Sequence, residues 1–140
     1  MSRLITPVFL AISGAIACLI GASILIIPHA FFATNEITLT SNPNLMSEIR
    51  APGGLLFAAG LIMVSGAALR SMARAGLLTA AIVYLMYGLS RLVSLVVDGV
   101  PSSSLVGALV IELLIGLTAS ALVARNANSG SRPRPDFSAR

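Results

Sequence analysis

Residues 7–27 read PVFLAISGAIACLIGASILII, a run with no charged side chain. A helix needs about 20 apolar residues to cross the roughly 30 Å hydrocarbon layer of a bilayer, and this run supplies them unaided. The stretch Ala15-Ile16-Ala17-Cys18 resembles a lipoprotein cleavage site. The apolar run continues past it to Ile27, however, whereas the apolar region of a signal is short and then stops. The segment is therefore expected to stay in place as a membrane anchor. Pro28 ends it.

Three more runs of the same kind follow, at about 53–69, 76–97 and 105–124, the last two interrupted by one charge each, Arg91 and Glu112. The 140 residues are 56% hydrophobic and only 10% charged, with mean hydropathy +0.95. A soluble domain is typically about a quarter charged, so lipid is the natural solvent here. The expected fold class is all-α: a four-transmembrane-helix bundle, antiparallel and up-down, over residues 1–124. Residues 125–140 are rich in Ser, Pro, Gly, Asn and Arg, have little to bury, and are expected to form a disordered basic tail.

All nine cations are Arg, and the net charge is +4. They are spread along short loops and the tail, with no basic face interleaved with aromatics, so nucleic acid is not an expected partner. Their placement reports topology instead. Arg3, Arg70, Arg74, Arg125, Arg132, Arg134 and Arg140 fall on one side of the bilayer; Arg50 falls on the other, beside Glu36, Glu48 and Asp98. Both termini are accordingly expected in the cytoplasm. The all-Arg, Ala- and Gly-rich composition points to a bacterial plasma (inner) membrane. One cysteine, Cys18, leaves no intrachain disulfide and no cysteine-based metal cluster. It reads as a small packing residue, since no basic neighbour lowers its pKa. His29 has no second His beside it and reads as an interfacial residue rather than a metal ligand.

The loops on the outer side hold most of the remaining information. In the first, Asn42 suits a helix cap and Pro43 a first helical position. Leu45, Met46 and Ile49 then share a face, predicting a short helix from Pro43 to Arg50 with a kink or break at Pro52. In the second, Asp98-Gly99 ends the third span, as Gly is favoured just past a helix end, and Pro101 with Ser102 to Ser104 restarts the chain. So tight a connection makes the third and fourth spans antiparallel neighbours.

That adjacency fixes depths. At 1.5 Å per residue, Arg91 lies about 10 Å and Glu112 about 12 Å below the outer boundary. A charge at mid-membrane costs roughly 2.5–3.5 kcal/mol even on the lenient insertion scale, and pairing of Arg91 with Glu112 is the expected relief. Tyr84, Tyr87, Arg91, Ser94 and Asp98 recur at spacings of three and four and so line one face of the third span. With Glu48, Arg50 and Glu112 they make the candidate site, a polar funnel open to the outer surface. Two plainer readings stand beside it: the Arg91–Glu112 pair as glue between helices, or as a contact with a partner subunit. Small residues allow close helix approach in lipid. They form a stripe on span one (Gly14, Cys18 and Ala22, beside Ala17 and Gly21) and on span two (Gly54, Ala58, Ser65 and Ala68).

The stretches Glu48-Ile49-Arg50-Ala51-Pro52-Gly53-Gly54, Tyr87-Gly88-Leu89-Ser90-Arg91-Leu92-Val93-Ser94, Asp98-Gly99-Val100-Pro101-Ser102 and Glu112-Leu113 together resemble the domain of unknown function 4345 family. These are small bacterial four-helix membrane proteins, and the resemblance covers about residues 5–124. It implies that Glu48, Arg50, Tyr87, Arg91, Asp98 and Glu112 match the family's polar motif. It implies no activity. In layout the family is similar to the broader DoxX-like group, some of whose members are linked to respiratory or thiol-redox assemblies.

Three functions compete at this level. A structural or accessory subunit of a membrane complex fits the small size and the small-residue helix faces. A small-solute or proton-linked binding or transport protein would use the funnel around Arg91 and Glu112 and would need a homodimer to enclose a path. An enzyme is the weakest reading, because no nucleophile–base pair, His pair, paired-cysteine motif or nucleotide loop is present. No catalytic residue, metal or cofactor is therefore expected, and the expected partners are the lipid bilayer and a larger membrane complex or a second copy.

Overall fold

The computed structural model describes residues 2–130. Within them the chain forms α1 (Ser2–Ile26), α2 (Pro28–Ala33), α3 (Pro43–Ala68), a 3-10 turn (Arg70–Met72), α4 (Ala73–Val97) and α5 (Ser103–Gly130). α1, α3, α4 and α5 are each long and apolar enough to span a bilayer, and the chain is a multi-pass membrane protein. They run alternately up and down. Residues 27–42 and 98–102 lie at one end of the bundle, termed here the loop end; Leu69–Met72, the start of α1 and the end of α5 lie at the other.

Local chemistry sets each boundary. A residue before proline is pushed out of the helical region, and Ile27, at φ −127° and ψ 53°, breaks the chain between α1 and α2. Pro28 then occupies a first helical position, where its missing N–H is no loss. α2 closes with Glu36 N–H donating to Ala33 O and Ile37 N–H to Phe32 O. This is a Schellman motif, with Glu36 rather than glycine at positive φ, 65°. Asn42 caps α3 through Oδ1, which accepts from Asn44 N at 2.9 Å and Leu45 N at 3.4 Å. α4 ends at Asp98, followed by Gly99 at φ 98°.

The expected helix over Pro43–Arg50 exists, but it is not separate. α3 continues through Pro52 without a break in its assignment. Proline withdraws its own N–H from the preceding turn and its ring crowds that turn's carbonyl, and here that turn is largely exposed near the helix start. The separate short helix of the first loop is α2, upstream of the expected place. At the C-terminus, α5 runs to Gly130, taking in the first residues of the expected tail; residues 131–140 lie outside the described residues.

The helices associate as two pairs. α1 packs along α3, α5 packs along α4, and the pairs join mainly through α3 and α4; α5 barely touches α1 or α3. Glycines bring α1 and α3 almost into backbone contact. A Cβ at Gly60 would lie 2.6 Å from Cys18 N and 2.8 Å from Gly14 O, and one at Gly21 would lie 2.5 Å from Phe57 N. Cys18 fits this seam as a small residue, its thiol donating to Phe57 O at 3.8 Å. On α3, however, the buried positions are Gly53, Leu56, Ala59, Gly60, Met63 and Gly66. Ala58 and Ala68 of the expected stripe are exposed, while Gly54 and Ser65 are half-buried. Small residues stand side by side at Gly53-Gly54 and Ala58-Ala59, so residue size alone cannot fix the helix's rotation. The larger Leu56 and Met63, turned inward, fix it. Between α4 and α5 the same device recurs once on each helix: Gly88 faces Leu113, and Gly116 faces Leu85.

Candidate functional site

Five of the eight candidate residues lie on α4 or at its end, and helical spacing sets their common face. Tyr84 is buried, and its hydroxyl donates to Ser13 O of α1 at 2.6 Å. Tyr87, one turn nearer the loop end, is half-buried, packs against the core and stands one helical turn from Arg91. Arg91 Nε donates to both carboxylate oxygens of Glu112 on α5, at 2.9 Å to Oε2 and 3.1 Å to Oε1. Side-chain direction explains how the pair closes. Helical side chains lean towards their own N-terminus, so on antiparallel helices Arg91 leans away from the loop end and Glu112 towards it.

The pair is unevenly covered: the side chain of Arg91 is 32% exposed and that of Glu112 13%. Among the described residues, Glu112 engages the guanidinium through Nε alone, and Nη1 and Nη2 make no hydrogen bond. Four N–H donors thus remain for a ligand or solvent. Ser94 and Asp98 are exposed and bonded to each other, Ser94 Oγ donating to Asp98 Oδ2 at 2.9 Å. That bond draws the carboxylate back along the helix towards Arg91.

The two candidates on α3 do different things. Arg50 Nη1 donates to Leu25 O at 2.8 Å. The last carbonyls of a helix lack an intrahelical donor and sit at the negative end of its dipole, so Arg50 caps α1. Glu48 is exposed on the first turns of α3. Among the described residues no hydrogen bond or ion pair joins Glu48 or Arg50 to Arg91, Asp98 or Glu112. The structure therefore brings together Tyr87, Arg91 and Glu112, with Ser94 and Asp98 above them, and sends Tyr84 and Arg50 to the backbone of α1. Two shallow surface hollows are lined by apolar residues, one by Leu4, Ile5, Val8 and Phe9, the other by Leu89, Leu92, Val93, Val96 and Val97. Neither includes a candidate residue.

Sequence reading missed the two carbonyl acceptors, Ser13 O and Leu25 O, because a backbone group leaves no mark in residue identity. It also missed a bridge between the loops, in which Ser104 Oγ donates to Asn35 Oδ1 at 3.0 Å. Elsewhere in the first loop region, Ser41 Oγ stands 3.5 Å from His29 Nε2. Among the described residues no group of three or more His, Cys, Asp or Glu side chains is placed to hold a metal ion.

Comparison with curated proteins and with solved structures finds no match. A family model does match, over residues 5–123, and it spans every candidate residue. On that match the chain belongs to the family described as domain of unknown function (DUF4345).

Proposed function

We propose that this protein is a non-catalytic membrane subunit that works by assembling with a larger membrane complex, seated in a bacterial inner membrane with both termini in the cytoplasm. The observation behind this reading is where the polar side chains go. Tyr84, Arg50 and the Arg91–Glu112 pair each tie one helix to another, as polar groups that specify helix packing in lipid do. α5 is held almost entirely through α4. Its Val110, Ile111, Leu114 and Leu117 are exposed, an apolar flank that suits neighbouring protein as well as lipid. The Arg counts on the two sides support the orientation.

The test is mild solubilisation of the tagged protein from its native membrane, followed by mass spectrometry of what it retains. A stoichiometric membrane complex is the expected result. Recovery of the chain alone, or only with a second copy, overturns the accessory reading. One observation favours a second reading, small-solute or proton-linked binding or transport: among the described residues the Nη groups of Arg91, on a side chain 32% exposed within the membrane span, make no hydrogen bond. In that case Arg91→Ala removes function from a protein that still folds.

A further inference from the structure

The two helix pairs do not cover each other equally along their length. α4 buries Gly76, Leu77, Ala80, Ala81, Tyr84 and Gly88, and no residue nearer the loop end. α5 buries nothing between Ser103 and Leu109. The α1–α3 seam, by contrast, stays closed as far as Gly21, Ile24 and Gly53. Towards the loop end, then, Ser94 and Asp98 on this face of α4 are exposed and Arg91 is only partly covered. The Asn35–Ser104 hydrogen bond ties the first loop to the start of α5 above it. On a helix long and apolar enough to span a bilayer, such a stretch is open to lipid from the side.

We infer that this lateral opening holds one zwitterionic aminophospholipid, its phosphate on Nη1 and Nη2 of Arg91 and its ammonium on Asp98. A helix of 25 residues spans about 37 Å at 1.5 Å per residue, against a hydrocarbon layer of about 30 Å. Asp98 therefore stands in the headgroup layer, and the Cα of Arg91 about 6 Å inside the hydrocarbon edge. The Arg91 stem leans inward to Glu112, so it is local thinning of the bilayer that brings a phosphate down to the fork. An Arg guanidinium presents paired N–H groups that match phosphate geometry, and here Nε is already fixed by Glu112, so the fork is held in orientation. The bond from Ser94 keeps the Asp98 carboxylate inclined towards Arg91, with Oδ1 left to accept from an ammonium.

Charge order selects the class of lipid. From the hydrocarbon outwards the face reads cation then anion, the reverse of the phosphate-then-ammonium order in an aminophospholipid headgroup, and so its complement. An anionic headgroup fits less well. Arg91 is already neutralised by Glu112, and the loop end holds Glu36, Glu48 and Asp98 against Arg50 alone. The inference does not depend on assembly into a complex, since it concerns the isolated chain.

Native mass spectrometry of the full chain released from detergent micelles tests it, with phosphatidylethanolamine, phosphatidylglycerol or inorganic phosphate added. One phosphatidylethanolamine per chain is expected, with affinity about tenfold above that for phosphatidylglycerol, or about 1.4 kcal/mol. Arg91→Lys keeps a charge opposite Glu112 but lacks the fork, and is expected to weaken binding about tenfold. Asp98→Asn, at an exposed helix end, is expected to abolish the preference over phosphatidylglycerol. Equal or tighter binding of phosphatidylglycerol to the unaltered chain overturns the proposal, as does displacement of lipid by inorganic phosphate. So do lipid-free dimers as the sole species, or indifference of lipid binding to both substitutions.

Discussion

The Tyr84 hydroxyl on α4 donates to the carbonyl of Ser13 on α1 at 2.6 Å, inside the packed core and between helices that otherwise touch little. Ser13 is itself buried and bonds its own hydroxyl back to Phe9 O at 2.8 Å. The Tyr84 bond is thus a principal polar link from α1 to the α4–α5 pair.

Tyr84→Phe preserves the ring and its packing while removing that link. The Ser13 carbonyl keeps a helical partner, so no backbone group is stranded. The expected loss is about 0.5–1 kcal/mol, the range for a single hydrogen bond between membrane helices. Unfolding in mixed micelles by titration with dodecyl sulfate measures it. An unchanged midpoint would mean that the bond adds nothing beyond ring packing.

The Arg91–Glu112 pair calls for a test that separates pairing from mere presence. Removing one partner of a fully buried pair costs about 3–5 kcal/mol, because the other charge is left uncompensated. With Arg91 a third exposed, the expected loss for Arg91→Ala is nearer 2 kcal/mol. The exchanged double variant Arg91→Glu/Glu112→Arg restores opposite charges across the same seam and is expected to recover at least half of that loss. If the double variant is no more stable than the two single losses added together, the charges act independently and the pair does not join α4 to α5.

How far the sequence disclosed this arrangement depended on the kind of interaction. The spans could be read because lipid imposes a length and a composition on every crossing helix. Arg91 and Glu112 could be placed at matching depth because a tight turn at Asp98-Gly99 makes counting along two antiparallel helices meaningful. Asn42-Pro43 marked the start of α3 through capping chemistry that is local to a few residues. The rotation of α3 was hidden, since adjacent small residues at Gly53-Gly54 and Ala58-Ala59 permit two phases and only packing against α1 chooses between them. α2 escaped because six residues, PHAFFA, are too few to display a helical period. Arg50 looked like a member of the polar cluster, and its true partner is a carbonyl at the end of α1, a position that any residue type can supply.

Glycines at the α1–α3 seam predict a sharp contrast between positions. At Gly60 an added methyl would meet backbone atoms, Cys18 N at 2.6 Å and Gly14 O at 2.8 Å. Backbone cannot rotate aside, so α1 and α3 must separate, and Gly60→Ala is expected to lose about 1–3 kcal/mol. At Gly107 on α5 nothing lies within 4 Å of the added methyl. There Gly107→Ala is expected to gain about 0.5–1 kcal/mol from helix propensity alone. The same dodecyl sulfate titration compares them, and similar shifts in the same direction would refute close backbone packing at Gly60.

The turn after α2 offers a gain from the opposite change. Glu36 holds φ at 65°, a left-handed conformation that costs an L-residue roughly 1–2 kcal/mol and glycine nothing. Its N–H is still needed, donating to Ala33 O to close the Schellman motif, and glycine keeps that donor. Glu36→Gly also frees the unfolded chain, which offsets part of the relief. The expected net gain is about 0.5 kcal/mol, together with slower hydrogen exchange at Ile37, whose amide donates across the motif to Phe32 O. Gly99 is the mirror case at the end of α4: it holds φ at 98° with open space around it, so Gly99→Ala meets no steric contact and is opposed by backbone conformation alone. Its expected loss is about 1 kcal/mol. Because Glu36 and Gly99 both lie in the loops rather than in a span, a bilayer-independent readout such as protease resistance of the folded chain in micelles should move with them in opposite directions. Movement in the same direction would mean that the two left-handed residues do not set the loop geometry.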